Sequence, residues 1–186
     1  MDRQFYAPAP LRLTALTLRR ENGPVPPTLR PATTADLDEL AGCQTACWRE
    51  TFSAVVPREQ LYEPRFEQTR RQEWVDRLAA GRTVWLAVLD AKIVGFACGG
   101  PSRDAEPATP LELYTLYLRA FLHGDGTADR LLGAAIGDAA ASLWVWDGND
   151  RARAYYARRG FVPDGVRTEW PGGAAMVRLV RNAVSR

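Results

Sequence analysis

The sequence predicts a mixed α/β fold, in which one twisted sheet is flanked by helices. Three observations predict this class. The hydrophobic period changes repeatedly between helical and strand-like along the chain. Strand-like segments are separated both by helices and by short turns, which is typical of a sheet with mixed strand directions. The chain has 186 residues, of which 46% are hydrophobic and 25% are charged, as expected for one globular domain with a substantial core.

The first 27 residues are expected to be an extension outside the main domain. They contain the prolines of the run APAP, the strand-like run LRLTALTL and a proline-containing linker. A poorly ordered extension and an added strand are both compatible with this pattern. The folded domain is therefore expected over residues 28–186.

The domain is predicted to open with a short strand at residues 28–30 and to continue with two helices. Thr33 and Asp36 form a capping-box pattern that starts the first helix. Pro57 interrupts the helical pattern, because a proline inside a helix removes a backbone hydrogen bond. The second helix is predicted from Phe66 to about Gly81.

The middle of the chain is predicted to form three strands. The segment TVWLAVLDAKIVGFACGG contains two β-rich runs separated by Asp90, Ala91 and Lys92, which is a hairpin pattern. A polar, proline-rich loop at residues 101–110 then leads to a third strand, LELYTLYL.

The C-terminal part is predicted to alternate helices and strands. An alanine-rich helix is expected over GTADRLLGAAIGDAAASL, followed by the short strand LWVW. The next helix, DRARAYYARR, ends at Gly160. Two final strands, FVPDGVRTEW and AAMVRLV, are joined by residues 171–173.

Charge and composition argue against several functional classes. The net charge of +2 does not favour nucleic-acid binding driven by phosphate neutralisation. No apolar run approaches the length of a membrane span, and the start of the chain does not have the pattern of a signal peptide. The three cysteines, Cys43, Cys47 and Cys98, do not make a disulfide set, and with a single histidine we expect no metal site. We therefore expect a cytoplasmic protein with reduced thiols, which binds neither nucleic acid nor membranes.

The run LHGDGTADRLL resembles an anion-binding turn at the start of a helix. The first amides of a helix lack internal partners and lie at the positive end of the helix dipole. Gly124, Gly126 and Ala128 would let an anion approach those amides closely. The run is neither a Walker loop nor a GxGxxG dinucleotide fingerprint. Taken alone, it fits an ordinary turn before an ordinary helix equally well.

Three segments in order resemble the signatures of the GNAT acyltransferases. The run HGDGTA resembles the family's phosphate loop, Q/R-x-x-G-x-G/A, with histidine in the first position. The strand ahead of it, ELYTLYL, resembles the family's E-L-x-x-L-Y-V strand. Downstream, NDRARAYYARRGF resembles N-x-x-A-x-x-F-Y-x-x-x-G-F. The resemblance covers about residues 28–181, and the combination of the three motifs is more specific than any one of them.

The resemblance implies the GNAT fold, whose fourth and fifth strands splay apart, and it implies acetyl-CoA as the co-substrate in the resulting cleft. The function that it implies is acetyl transfer from the thioester to a primary amine by direct attack, without a covalent enzyme intermediate. The cofactor-binding residues that it implies are Leu116, Tyr117, Leu118, His123, Gly124, Asp125, Gly126, Thr127, Ala128, Asn149, Ala152 and Tyr156.

Two side chains are implied as catalytic. Glu112 matches the carboxylate that serves as the base, acting through water, in the family's histone-modifying branch. Tyr156 matches the acid that protonates the leaving thiolate. Each has a structural alternative, namely an exposed strand glutamate and a tyrosine packed in the core. Asn149 is expected either to cap a helix or to contact the cofactor.

The phosphate loop carries an unusual charge for this family. Asp125 and Asp129 stand where the family often has basic residues, and His123 is neutral by default at pH 7. A carboxylate about 6 Å from a phosphate charge costs about 0.7 kcal/mol in a water-like dielectric and about 2.8 kcal/mol at an effective value of 20. We therefore expect weakened rather than abolished binding of CoA. Arg151 and Arg153 fit a solvated helix face, and the alternative is that one of them attracts the 3′-phosphate of CoA.

A second interpretation is a non-catalytic acyl-CoA-binding or sensor module on the same fold, which the two aspartates and His123 motivate. The acceptor cannot be assigned from the sequence: a small amine, an antibiotic, a peptide N-terminus and a lysine side chain all remain open. We expect residues 48–62 and the loop 101–110 to select it. The sequence also leaves a homodimer open.

Overall fold

A computed structural model describes residues 25–53, 56–170 and 174–183. Most of the predicted extension, residues 1–24, and the predicted turn at 171–173 lie outside these residues. The described part contains a seven-stranded sheet with the order β1-β2-β3-β4-β5-β7-β6. The strands are β1 Thr28–Pro31, β2 Val84–Leu89, β3 Lys92–Pro101, β4 Leu111–Leu118, β5 Ala141–Trp146, β6 Val162–Trp170 and β7 Ala174–Arg181. The α-helices are α1 Leu37–Phe52, α2 Arg58–Leu61, α3 Pro64–Ala79, α4 Thr127–Ile136 and α5 Asp150–Ala157.

The predicted mixed α/β class is confirmed. β4 and β5 run parallel, and the other neighbouring strands of the sheet run antiparallel. β4 and β5 pair at only three positions, the last of which joins Leu113 to Leu143. The remainder of each strand continues without the other, which is the splay that the GNAT resemblance implies.

Helices cover both faces of the sheet. α1 and α3 pack on one face, where Trp74 meets Phe96 at a ring-centroid distance of 5.2 Å. α4 packs on the other face, where Leu131 is buried against Ala97 and Leu118. A third buried group joins α4, α5, β5 and β7. Because alternate residues of a strand face opposite sides, β3 contributes to the clusters on both faces.

Two local predictions are confirmed. The Asp36 carboxylate accepts hydrogen bonds from the Thr33 N–H at 2.7 Å and from the Thr33 hydroxyl at 2.9 Å, where a short 3₁₀ turn leads into α1. The β2–β3 hairpin turns through Asp90 and Ala91, whose φ angles of 48° and 59° are both left-handed. Two left-handed residues match the twist of the two strands in a tight hairpin.

The predicted extent of the alanine-rich helix is wrong. α4 ends at Ile136, because Gly137 adopts a φ of 56° and turns the chain away from the helix axis. The Arg181 guanidinium then donates hydrogen bonds to the carbonyls of Gly137 and Ala139, which holds the turn. The last alanine of this run, Ala141, is fully buried at the start of β5. Tertiary contacts therefore override the helix propensity of this segment.

Candidate active site

The open edge of β4 is the first component of the candidate site. A β-bulge leaves Tyr114 without a register partner on β3, and beyond Leu113 the strand no longer pairs with β5. The Arg119 N–H donates to the Val94 carbonyl at 2.9 Å. Since backbone groups of alternate strand residues point to opposite edges, Leu118 and Leu116 direct their backbone groups into the splay. The strand can therefore pair with an extended ligand there.

The loop after β4 supplies unpaired backbone donors. Gly124 and Gly126 have φ angles of 92° and 89°, and a Cβ on either would meet no atom within 4 Å. Glycine is therefore required at both positions by backbone conformation rather than by lack of space. Among the described residues, nothing accepts a hydrogen bond from the N–H groups of Gly124, Gly126 or Ala128. Three free amides at the start of α4 can bind an anion.

The Asp125 side chain accepts hydrogen bonds from Thr127, the first residue of α4. Its carboxylate accepts hydrogen bonds from the Thr127 N–H at 2.8 Å and from the Thr127 hydroxyl at 2.9 Å. The side chain therefore occupies one of the first amides of α4, which a phosphate would otherwise contact. From the sequence, Asp125 was expected only to repel the phosphate at a distance. Its hydrogen bonds to Thr127 were not predicted, although an Asp-x-Thr spacing is a recognisable turn pattern.

The expectation that Asp129 opposes a phosphate needs correction. Its carboxylate is ion-paired with the Arg159 guanidinium of the turn after α5, and it accepts a hydrogen bond from the Tyr155 hydroxyl at 3.1 Å. Arg159 holds the pKa of Asp129 below its usual value, and the Tyr155 hydrogen bond adds to this effect. The negative charge is balanced within the protein, and Asp129 connects α4 to α5.

His123 links the end of β4 to α5. Its Nε2 lies 3.0 Å from the Leu118 carbonyl, which can only accept, so Nε2 carries the proton. Nδ1 is then the acceptor for the Arg151 guanidinium. Burial and the nearby Arg151 lower the pKa of His123, which keeps the ring neutral. Because its partner is neutral, Arg151 retains a full positive charge beside the loop. No sequence pattern indicated this contact, which joins residues 28 positions apart.

Two of the other basic residues near the loop are ion-paired, and a third contacts only a backbone carbonyl. Arg119 is ion-paired with Glu50 at 2.7 Å, and Arg153 with Asp147 at 3.1 Å. Arg130 donates to the carbonyl of Pro27 at 2.7 Å, and this contact leaves its charge uncompensated. Of the two candidates for the 3′-phosphate, Arg151 thus has the more available charge.

The helix after β5 holds two predicted site residues in structural contacts. The Asn149 side chain accepts a hydrogen bond from the Ala152 N–H at 3.0 Å, so Asn149 caps α5. Tyr156 is 7% exposed and packs edge-on against Tyr155 and Phe161, at ring-centroid distances of 5.2 and 5.7 Å. Burial raises the pKa of Tyr156, which keeps its phenol protonated at neutral pH. The structure thus combines core packing with a group able to donate a proton.

Tyr117 and the cysteines pack away from the loop. Tyr117 lies against Phe96 on the face covered by α1 and α3, and burial raises its pKa to about 12. Cys43, Cys47 and Cys98 are free thiols and are buried. Burial raises the pKa of Cys98, which disfavours the nucleophilic thiolate, as expected from the sequence.

Glu112 lies at the opposite end of β4 from the loop and is 1% exposed, so the alternative of an exposed strand glutamate is wrong. Its carboxylate accepts hydrogen bonds from the Arg103 backbone N–H at 2.9 Å and from Nε at 3.1 Å, and it forms an ion pair with Nη2. The Arg103 guanidinium also lies 4.2 Å from the centroid of the Tyr114 ring. One residue of the loop 101–110 therefore satisfies the buried carboxylate.

The part of the chain that the structure describes contains no candidate membrane span and no candidate metal site. No described helix is long and apolar enough to cross a bilayer. No group of three or more histidine, cysteine, aspartate or glutamate side chains among the described residues is arranged to hold a metal ion.

Comparison with known families decides the assignment. A sequence model of the Acetyltransferase (GNAT) family matches residues 44–161, which is more than half of the chain. The chain belongs to the GNAT acetyltransferase family. The matched region includes the open edge of β4, the loop and α5, so the resemblance inferred from the three motifs is confirmed.

Curated relatives of this GNAT chain are similar over part of their length. An uncharacterised N-acetyltransferase of Mycobacterium tuberculosis is 38% identical over 95 residues, which is 47% of this chain and 57% of that protein. The uncharacterised N-acetyltransferase YuaI of Bacillus subtilis is 26% identical over 124 residues, 64% of this chain and 70% of the relative. The alignment thus spans little more than half of the mycobacterial protein.

Solved structures share the fold. A Corynebacterium glutamicum structure described as histone acetyltransferase HPA2 and related acetyltransferase has a TM-score of 0.66 and 22% identity, covering 87% of this chain and 99% of that one. The PaiA N-acetyltransferase of Thermoplasma acidophilum, solved in complex with coenzyme A, has a TM-score of 0.62 and 18% identity, covering 81% and 96%. At these identities the likeness concerns the fold alone.

Proposed function

We propose that this GNAT protein transfers an acetyl group from acetyl-CoA to a primary amine by direct attack. The observation that carries the proposal is the open edge of β4, which leads directly into a loop with three free amides. The complexes of related folds with coenzyme A support the same donor. When bound, acetyl-CoA supplies an activated thioester.

The residues present fit such a donor. The backbone groups of Leu116 and the N–H of Leu118 would pair with the pantetheine arm, as an added strand pairs with a sheet edge. The Leu118 carbonyl already accepts a hydrogen bond from His123. The amides of Gly124, Gly126 and Ala128 would bind the pyrophosphate, and Arg151 would add a positive charge beside it. Asp125 would oppose this binding, since its carboxylate already occupies the Thr127 amide.

Tyr156 and Glu112 would move the protons of the reaction. Glu112 would accept a proton from the attacking amine, directly or through water, as the nitrogen bonds to the acyl carbon. Tyr156 would give a proton to the sulfur as the carbon–sulfur bond breaks. Burial raises the pKa of Tyr156, so the phenol is protonated and available for this role, although the same rise makes it a weaker acid. The first role requires the ion pair between Glu112 and Arg103 to open.

A non-catalytic CoA-binding module is the second candidate, and two contacts favour it. Arg103 engages the carboxylate that would serve as the base, and Asp125 engages a loop amide. Neither contact prevents CoA from pairing with β4, so the two candidates share the donor site and differ only in turnover.

Thiol release on a panel of amines, together with calorimetry with CoA, separates the candidates. We expect CoA binding and thiol release that depends on an amine and is lost in Glu112→Gln. The control is Glu169→Gln, which changes an exposed carboxylate on β6. CoA binding without turnover on any amine would establish the sensor. Absence of CoA binding would contradict both candidates.

A further inference from the structure

Two guanidinium groups lie over one aromatic ring beside Glu112. Arg103 lies 4.2 Å and Arg82 lies 5.8 Å from the centroid of the Tyr114 ring. Gly100 permits this arrangement: a Cβ there would meet the Tyr114 hydroxyl at 2.6 Å and Arg82 Nη1 at 3.0 Å. The Tyr114 hydroxyl donates to the Pro101 carbonyl at 2.5 Å, which fixes the ring. The two cations are thus held in place by strands β3 and β4.

The positive charge in this region exceeds the negative charge. Glu112 compensates Arg103, whereas Arg82 forms an ion pair with none of the acidic side chains that the structure describes. Nearby on α3, the Glu73 carboxylate is shared between Arg70 at 3.0 Å and Arg77 at 3.9 Å. Arg77, Arg82 and Arg103 each act to lower the pKa of the Cys98 thiol, against the effect of its burial. This neighbourhood therefore favours an anionic ligand.

The hydrogen bonds between Arg103 and Glu112 indicate which chemical groups such a ligand must carry. A carboxylate that accepts three hydrogen bonds from Arg103 is poorly placed to take a proton from an amine. Simple withdrawal of Arg103 would leave a buried carboxylate without its charge partner, which is costly. A ligand that carries both a carboxylate and an ammonium group would give Arg103 a new anionic partner and would give Glu112 a cation in place of Arg103.

We propose that the acceptor is a small amine that also carries a carboxylate, such as a free amino acid, and that Arg82 and Arg103 bind this carboxylate. The proposal rests on the proposed acetyl transfer and names its substrate class. The planar guanidinium matches a carboxylate in paired hydrogen bonds, and two such groups over one ring provide a defined site. The amine of the same molecule is then the group presented to the freed Glu112.

Matched pairs of amino acids and their amides test the proposal, with thiol release as the assay. Each pair differs in the carboxylate, and the amide has the more readily deprotonated amine, so chemistry alone favours the amide. We expect kcat/KM to be at least about 10-fold higher for the acid, since hydrogen bonds between charged groups contribute about 1.5–3 kcal/mol. Equal or faster turnover of the amides would overturn this inference and leave the proposed function intact.

Two variants assign the preference to the guanidinium groups. Arg82→Gln and Arg103→Gln should each raise KM for the acid about 10-fold, and the preference for the acid over its amide should fall accordingly. Arg71→Gln, on the outer surface of α3 with its partner Asp38 84% exposed, is the matched control. Because Arg103→Gln also leaves Glu112 buried without its partner, Arg82→Gln keeps the test valid if Arg103→Gln fails to fold. An unchanged preference in folded Arg82→Gln would contradict the assignment.

Calorimetry in the presence of CoA gives a readout independent of turnover. We expect a free amino acid to bind the wild-type protein and its amide to bind at least about 10-fold more weakly, with the difference reduced in Arg82→Gln. Equal binding of acid and amide would overturn the proposal. Failure of every amine to release thiol, while CoA binds, would instead contradict the proposed function, and this outcome is distinguishable from equal turnover of acids and amides.

Discussion

The two ends of β4 are built from different parts of the chain. At the C-terminal end, the groups that we propose to face the ligand are the backbone of Leu116 and Leu118 and the amides of the loop that follows within a few residues. At the N-terminal end they are side chains from three separate segments, namely Arg82, Arg103 and Glu112. A site made of backbone groups tolerates many different side chains, whereas a site made of side chains depends on the particular residues that supply them. This contrast suits a donor site common to a family and an acceptor site particular to one member.

The largest expected effect concerns the proton donor. Tyr156→Phe should lower kcat by about 100-fold or more, because general acid catalysis contributes about 10²–10⁴-fold, with little change in CoA affinity. Tyr155→Phe is the matched control, since it removes a hydroxyl that donates to Asp129 from the neighbouring residue. Steady-state kinetics and calorimetry measure the two quantities. Unchanged turnover in Tyr156→Phe would leave this tyrosine with a packing role only.

The next prediction tests whether the loop before α4 requires glycine for its backbone conformation. Gly126→Ala should reduce the free energy of unfolding by about 1–2 kcal/mol, because a φ of 89° is unfavourable for a residue with a Cβ, and it should weaken CoA binding. Gly133→Ala, inside α4 with open space around its Cβ position, should instead stabilise the protein by about 0.5–1 kcal/mol. Chemical denaturation and calorimetry are the measurements. Equal effects of the two variants would remove the conformational requirement.

A smaller effect tests the charge of Asp125. Asp125→Asn keeps an oxygen that can accept from the Thr127 N–H and removes the negative charge. CoA binding should tighten by about threefold at low salt, corresponding to about 0.7 kcal/mol. Asp38→Asn, on the exposed start of α1, serves as the control. If the amide oxygen of the variant preserves the cap and affinity still does not rise, the carboxylate has no influence on the phosphate.

The smallest effect concerns His123 and pH. Its pKa in the folded protein lies below the ordinary value of about 6.5, so its contribution to stability is complete above about pH 6.5 and is lost as the pH falls through the lowered pKa. The melting temperature of the wild type should therefore fall by about 2 °C more than that of His123→Gln between pH 7 and pH 5. Parallel pH profiles of the two proteins would contradict this assignment.

Features that depend on local sequence patterns were predictable, and features that depend on contacts between distant residues were not. The glycines and the β4 strand are local patterns, so the sequence predicted the loop and the helix that follows. The splay was expected from the family resemblance, and the Asn149 cap was one of two alternatives. The contacts that set the charge of the site span long distances along the chain, as in Arg151 with His123 and Arg159 with Asp129. No local pattern specifies them. The end of α4 was mispredicted although Gly137 is a local helix-stop pattern, because the alanines that follow it have a high helix propensity. Arg181 holds the resulting turn from 42–44 residues away.

The central claim is that CoA lies along the open edge of β4 and in the loop that follows. Residue-resolved amide hydrogen exchange with and without CoA tests it most directly. We predict slower exchange in the presence of CoA at the amides of Leu116, Leu118, Gly124, Gly126 and Ala128. The Arg119 amide, already bonded to Val94, should change little. Protection confined to other segments, or equal protection of Arg119 and its neighbour Leu118, would contradict the claim.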